Sequence, residues 1–179
     1  MRSLSMIFSM IFSMTFSMIF VLPALGAPVA AQSLDTEVVA ALEAALDDEY
    51  RAEALYAAVL DDFGDAKPFS RIIEAEHRHQ EALLTLFAAY GLEPPENRWS
   101  IDDVPRYPTV EEACAAGVEA ELDNAGLYEG FLELDLPGDV RRVFENNRWA
   151  SQQNHLRALQ SCGSDGCGGS GGGRGGRCN

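Results

Sequence analysis

The sequence predicts an all-α protein, a four-helix bundle made of two helical hairpins. Three observations carry this. Four stretches repeat apolar residues at three- and four-residue spacing, Pro and Gly separate the stretches, and a Pro-rich link lies between the second and third. Short links after the first and third stretches pair antiparallel neighbours, and the long link is a crossover between the two pairs.

Residues 34 to 63 hold neither Pro nor Gly, and Val39, Leu42, Leu46, Glu49, Glu53, Tyr56, Leu60 and Phe63 trace one helical face that ends at Gly64. A second helix is expected to start at Pro68, a favoured first-turn residue, and to stop at Gly91. Its face reads Phe69, Ile72, Glu76, His79, Leu83, Leu86, Tyr90 without a break. Pro94, Pro95, Pro105 and Pro108 deny regular structure to residues 92 to 108. Thr109 with Glu112 reads as a capping box that opens a third helix reaching about Leu134. Pro137 and Gly138 break the chain, Asp139 can cap, and a fourth helix continues to about Gln160.

The flanks differ from this core. All five methionines lie within the first 18 residues, where SMIF, SMIF, SMTF, SMIF follow one another, and only Arg2 is charged before Leu25. With the small residues from Gly26 to Ala31, residues 1 to 31 read as a secretory signal cleaved after Ala31, which would export the protein to a periplasm or the extracellular space. Left uncleaved, the same apolar run would anchor the chain in a membrane; after cleavage no stable membrane span is expected. Residues 32 to 161 form the bundle domain, and residues 162 to 179 are a Gly/Cys-rich tail expected to be flexible. Cys114, among alanines, reads as a small buried residue, whereas Cys162, Cys167 and Cys178 read as disulfide partners or an intermolecular link.

Charge narrows the partners. The chain carries 28 acidic and 13 basic residues, a formal charge of −15, and losing Arg2 with the signal takes it to −16. Such a surface repels nucleic acid, and no basic stripe offsets it. The predicted helical faces are interrupted near their middles by polar groups: Glu49 and Glu53, Glu76 and His79, Glu121, then Gln152 and His155. Glu76 and His79 are three apart and project from one helical face. Several carboxylates buried at one level require a cation or shared protons, because an isolated buried carboxylate is too costly to keep ionised. His77 lies off the face beside Arg78 and reads as a rim residue. Tyr56 and Tyr128 are expected in the core with their hydroxyls on carboxylates. Arg148 could reach the same level and neutralise the carboxylates without a metal.

The two halves also repeat. Glu49 to Tyr56 and Glu121 to Tyr128 share Glu, a small residue, Leu and Tyr at matching offsets, and His79 and His155 follow their Glu by 30 and 34 residues. Each half thus offers one Glu and one Glu/Gln-x-x-His. This pattern resembles the ferritin-like di-iron carboxylate proteins, in which two helices give a Glu each and two give Glu-x-x-His. More narrowly, residues 43 to 160 resemble a prokaryotic ferritin-like family of unknown function, through Ile73 to His79, Tyr90-Gly91-Leu92, Glu121-Leu122-Asp123, Val140 to Asn146 and Asn154 to Ala158.

The resemblance implies a ferritin-like bundle with a metal centre. Two irons, or one, would be held by Glu49, Glu76, His79, Glu121, His155 and Gln152, with Glu53 and Glu145 as alternatives to Gln152. Manganese is the alternative metal, since oxygen ligands with two imidazoles suit Fe or Mn better than Zn. Ferroxidase-like or peroxidase-like chemistry on O₂ or peroxide would follow, with an unknown electron donor and a homo-oligomer as a further expectation. Gln152 departs from the di-iron pattern, and no paired Cys-x-x-Cys motifs supply a built-in electron relay. The competing expectation is an exported helical scaffold or interaction module whose carboxylate, His and Arg core holds no metal.

Overall fold

A computed structural model describes residues 33 to 162; the expected signal and all of the expected tail except Cys162 lie outside the described residues. The described chain is all-α, four helices packed as a bundle, with no strand. Helix α1 spans Thr36–Phe63, α2 Phe69–Tyr90, α3 Val110–Leu132 and α4 Gly138–Ala150. Helix α4 runs on through a π-helical segment, Ser151–His155, into α5, Leu156–Cys162, so the three pieces form the fourth rod. Helices α1 and α2 pack along each other, as do α3 and the α4–α5 rod, giving the two expected hairpins.

Local chemistry sets the helix ends. Gly91 takes a left-handed conformation at φ 66°, and Leu92 N donates to Phe87 O at 2.9 Å, closing α2 with a Schellman-type turn that a side chain at Gly91 would disfavour. The Thr109 hydroxyl accepts from Glu112 N at 3.2 Å, which is half of the expected capping box. Asp139 accepts from Val140 N and from the Tyr90 hydroxyl, tying the start of α4 to the end of α2.

The crossover from Gly91 to Thr109 lacks helix, as its prolines dictate, yet it is fastened to α1. Arg98 makes a two-pronged pair with Asp47 at 2.9 and 2.8 Å, Trp99 Nε1 donates to the same carboxylate, and Arg106 pairs with Asp61 and Asp62.

Apolar packing falls into two clusters. One joins Leu42, Leu46, Leu83, Phe87, Tyr128 and Phe144; the other joins Tyr56, Val59, Phe69, Ile72, Cys114 and Leu159. Along every helix, the buried polar residues lie between the two sets. Burying a Leu or Phe side chain contributes roughly 1.5–3 kcal/mol, so each cluster can hold the rods together and offset the cost of a polar layer between them. Gly117 lets α3 approach α5 closely, since a Cβ there would lie 2.8 Å from Leu159 Cδ2.

One expectation is extended here. Cys114 is buried as expected, but it is also disulfide-bonded to Cys162, which joins α3 to the end of α5. Cys162 is the last residue of α5, partly buried against the second apolar cluster; Cys167 and Cys178 lie outside the described residues.

Candidate metal centre

The polar layer is built from one residue or pair per helix. Glu49 from α1, Glu76 and His79 from α2, Glu121 from α3 and His155 from the fourth rod are all buried, and Glu49 has no exposed surface at all. They form two groups that share Glu76: Glu49, Glu76 and His79 in one, Glu76, Glu121 and His155 in the other, with potential ligand atoms in each within 4.8 Å of one another. His79 Nδ1 lies 2.9 Å from Glu76 Oε2 and 3.2 Å from Glu49 Oε2. His155 Nδ1 lies 3.1 Å from Glu76 Oε1 and 3.3 Å from Glu121 Oε1. The two oxygens of Glu76 thus face opposite groups, and the two imidazoles stack with centroids 5.5 Å apart.

Two of these atoms are orphans. Glu76 Oε1 and His155 Nδ1 are buried and have no hydrogen-bond partner, although they face each other at 3.1 Å. Ligands at right angles around an ion with bonds of about 2.1 Å sit about 3.0 Å apart. Lone pairs converging at that spacing, from oxygen and imidazole donors, fit a divalent cation.

The carboxylates are held from outside the groups. Tyr128 on α3 donates to Glu49 Oε1 at 2.6 Å, and Tyr56 on α1 donates to Glu121 Oε1 at 2.5 Å, so each tyrosine reaches the glutamate of the other hairpin. Burial and the neighbouring carboxylates push both phenols well above their usual pKa, which keeps them donors. Asn147 donates to the Tyr128 oxygen at 2.9 Å and locks that rotamer. A side network joins Asn124 to Asp48 at 2.8 Å and Ser151 to Asn124 at 2.7 Å.

Electrostatics separates the groups' members. Burial pushes Glu49 up, partly opposed by His79, whereas Glu76 lies below the ordinary carboxylate range because two imidazoles outweigh its desolvation. Burial would lower both histidines, but adjacent carboxylates lift His79 to about 9 and His155 to about 10. In the absence of a metal the carboxylates thus favour the protonated form of both imidazoles.

A cavity with about 10 Å³ of space for the centre of a water-sized molecule touches Glu76, Glu121 and Tyr56 and reaches the α1–α3 seam beside Asp48 and Arg51. That is room for roughly one water.

Of the residues expected at the site, the structure brings together Glu49, Glu76, His79, Glu121 and His155. It does not bring in the others. Gln152 is partly exposed and donates to Glu129 at 2.8 Å. Glu53 accepts from His77 and Gln80 on the α1–α2 flank. Glu145 is exposed. Arg148 makes no ion pair with the carboxylates among the described residues, and its buried Nε has no partner. His77 is half-exposed, as expected of a rim residue.

The π-helical segment explains Gln152. It widens the last turn, so the residue sharing a face with His155 is Ser151, four before it, and Gln152 turns outward. Gln80, Asn124, Asn147 and Ser151 are the buried polar residues that the sequence reading missed. A signal existed: Val140, Phe144, Asn147, Ser151 and His155 recur at spacings of three and four.

No family model, no curated protein and no solved structure matches this chain. The narrower family resemblance therefore rests on its motifs alone.

Proposed function

We propose that this chain is an exported, ferritin-like metal protein that binds two irons, or iron and manganese, and uses them in redox chemistry on O₂ or peroxide. The observation that carries the reading is Glu76, whose two oxygens serve two buried Glu/His groups. Glu49 and His79 would complete one position, Glu121 and His155 the other. An O-rich set with two imidazoles favours Fe or Mn. Bound iron would supply two one-electron centres to a small oxidant.

The chain's own residues do the rest. Tyr128 with Asn147 fixes Glu49, and Tyr56 fixes Glu121, so the donors are pre-aimed. Apolar clusters on both sides keep bulk water away. The small cavity at Glu76 and Glu121 admits a molecule of water, O₂ or peroxide size and excludes an organic substrate. Export is supported by the signal-like residues 1 to 31 and by the Cys114–Cys162 bond, which suits an oxidising compartment.

A second reading has its own support. His79 already meets Glu49 and Glu76 in hydrogen bonds and His155 lies 3.1 Å from Glu76, so two protons could balance much of the charge and leave a metal-free scaffold. Anaerobic loading with Fe(II), followed by mixing with O₂ or peroxide, separates the two. The metal reading expects oxidation faster than that of free Fe(II) with a ligand-to-metal absorbance change; oxidation at the rate of free Fe(II) contradicts it.

A further inference from the structure

We propose that the pocket between the start of α2 and the π-helical segment binds a small organic acid, an apolar body bearing one carboxylate, with Arg71 and Arg78 as its anchors. The pocket has a volume of about 290 Å³, the size of a small-ligand site. Its charge runs against the rest of the molecule. Lys67, Arg71 and Arg78 line it and no carboxylate does, in a chain with 28 acidic and only 13 basic residues.

Lys67 is already engaged, with Asp65 at 2.8 Å and with the Ser70 hydroxyl. Arg71 and Arg78 form no ion pair or hydrogen bond among the described residues, even though Glu74 stands three positions after one and four before the other. Seven residues apart on α2, the two guanidiniums have no direct partner among the described residues, although Arg71 is near enough to Asp65 to join Lys67 in lowering its pKa. A guanidinium fork pairs with a carboxylate through two parallel hydrogen bonds, which selects this head group.

The lining between them selects the body. Ile72, Ala75 and Ala158 give an apolar floor that a bare inorganic anion would not use. His155 closes the inner wall. Its Nδ1 faces Glu76 and Glu121, and its other ring nitrogen has no partner among the described residues. An acid in this pocket would thus lie one imidazole away from the carboxylate layer, while its binding depends on α2 and the fourth rod and not on any metal.

The test uses the full-length, metal-free protein with benzoate as the probe, followed by amide and imidazole NMR shifts, and with benzyl alcohol and inorganic phosphate as comparisons. Benzoate is expected to saturate, with shifts centred on Ala75, Asn154, His155 and Ala158. The exposed double substitution Arg71→Gln, Arg78→Gln should weaken it roughly tenfold or more, with an unchanged circular-dichroism spectrum, and benzyl alcohol should bind roughly tenfold more weakly than benzoate. Absence of saturation at millimolar benzoate, equal Kd values in the double variant and the parent, or phosphate binding as tightly as benzoate would overturn the proposal. Because no metal is present, none of these results bears on the two-metal reading.

Discussion

Glu76 and the residues around it divide into donors to the shared groups and donors that hold them in place, and substitutions should separate the two. His79→Ala removes a nitrogen at 2.9 Å from Glu76, whereas His77 only meets Glu53 on the flank. Metal affinity should therefore fall roughly tenfold or more for His79→Ala and stay within about twofold for His77→Ala, read by competitive titration with Mn(II). Gln152→Glu should leave both affinities nearly unchanged, since its amide faces Glu129 on the surface; a clear tightening would place residue 152 at the metals after all. Asp48 offers a test that needs no metal. Burial raises its pKa from 3.8 to about 6, against the Asn124 hydrogen bond that opposes the rise. The folded state thus holds the proton more tightly, and the stability linked to this group falls as pH rises from about 4 to about 6. With a quarter of the side chain still exposed, the charged form costs about 1–2 kcal/mol. Asp48→Asn should raise the melting temperature at about pH 7 and do so less at about pH 4; the opposite order would contradict the buried-carboxylate assignment.

At the scale of elements, the helices and their pairing were legible because apolar spacing, Pro and Gly report directly on helix phase and ends. The α2 face was read correctly throughout, from Phe69 to Leu86, and it supplied Glu76 and His79. On α1 the expected face slipped on both sides of Glu49: Val39, Glu53 and Leu60 are only partly buried, while Val38, Leu55 and Val59 fill the core. An Ala-rich helix gives little contrast between its faces, so neighbouring positions are easily exchanged. On the fourth rod, whose helix runs over the expected residues, the difference is at Gln152. A π-helical segment changes the period itself, so an expected Glu/Gln-x-x-His spacing pointed to Gln152 instead of Ser151. The disulfide was illegible because Cys114 and Cys162 are 48 residues apart and meet only once α3 and α5 pack. Closing a loop of that length stabilises by about 4 kcal/mol in the chain-entropy account. Reduction should lower the melting temperature by about 10 °C or more, measured by circular dichroism with and without reductant, and an unchanged transition would show that α3 and α5 hold without the bond.

For the whole molecule, the bundle is a frame that carries a buried polar layer between two apolar clusters, and the layer's composition is what ties fold to function. The metal-free form should feel the same layer through pH. His79 and His155, raised to about 9 and about 10, contribute stability that is complete below their unfolded value near 6.5 and is lost as pH climbs through 9 to 10. Melting temperatures of metal-free protein should therefore decline over that window, and a flat profile would mean that the imidazoles are not paired with the carboxylates. The central claim is that one carboxylate is common to two metal positions, and metal stoichiometry tests it most directly. Equilibrium dialysis of the metal-free chain against Fe(II) under anaerobic conditions should give about two ions per chain, falling to about one for Glu49→Ala or Glu121→Ala and to fewer than one for Glu76→Ala. A stoichiometry near zero in the parent protein, or two ions retained in Glu76→Ala, would contradict the account.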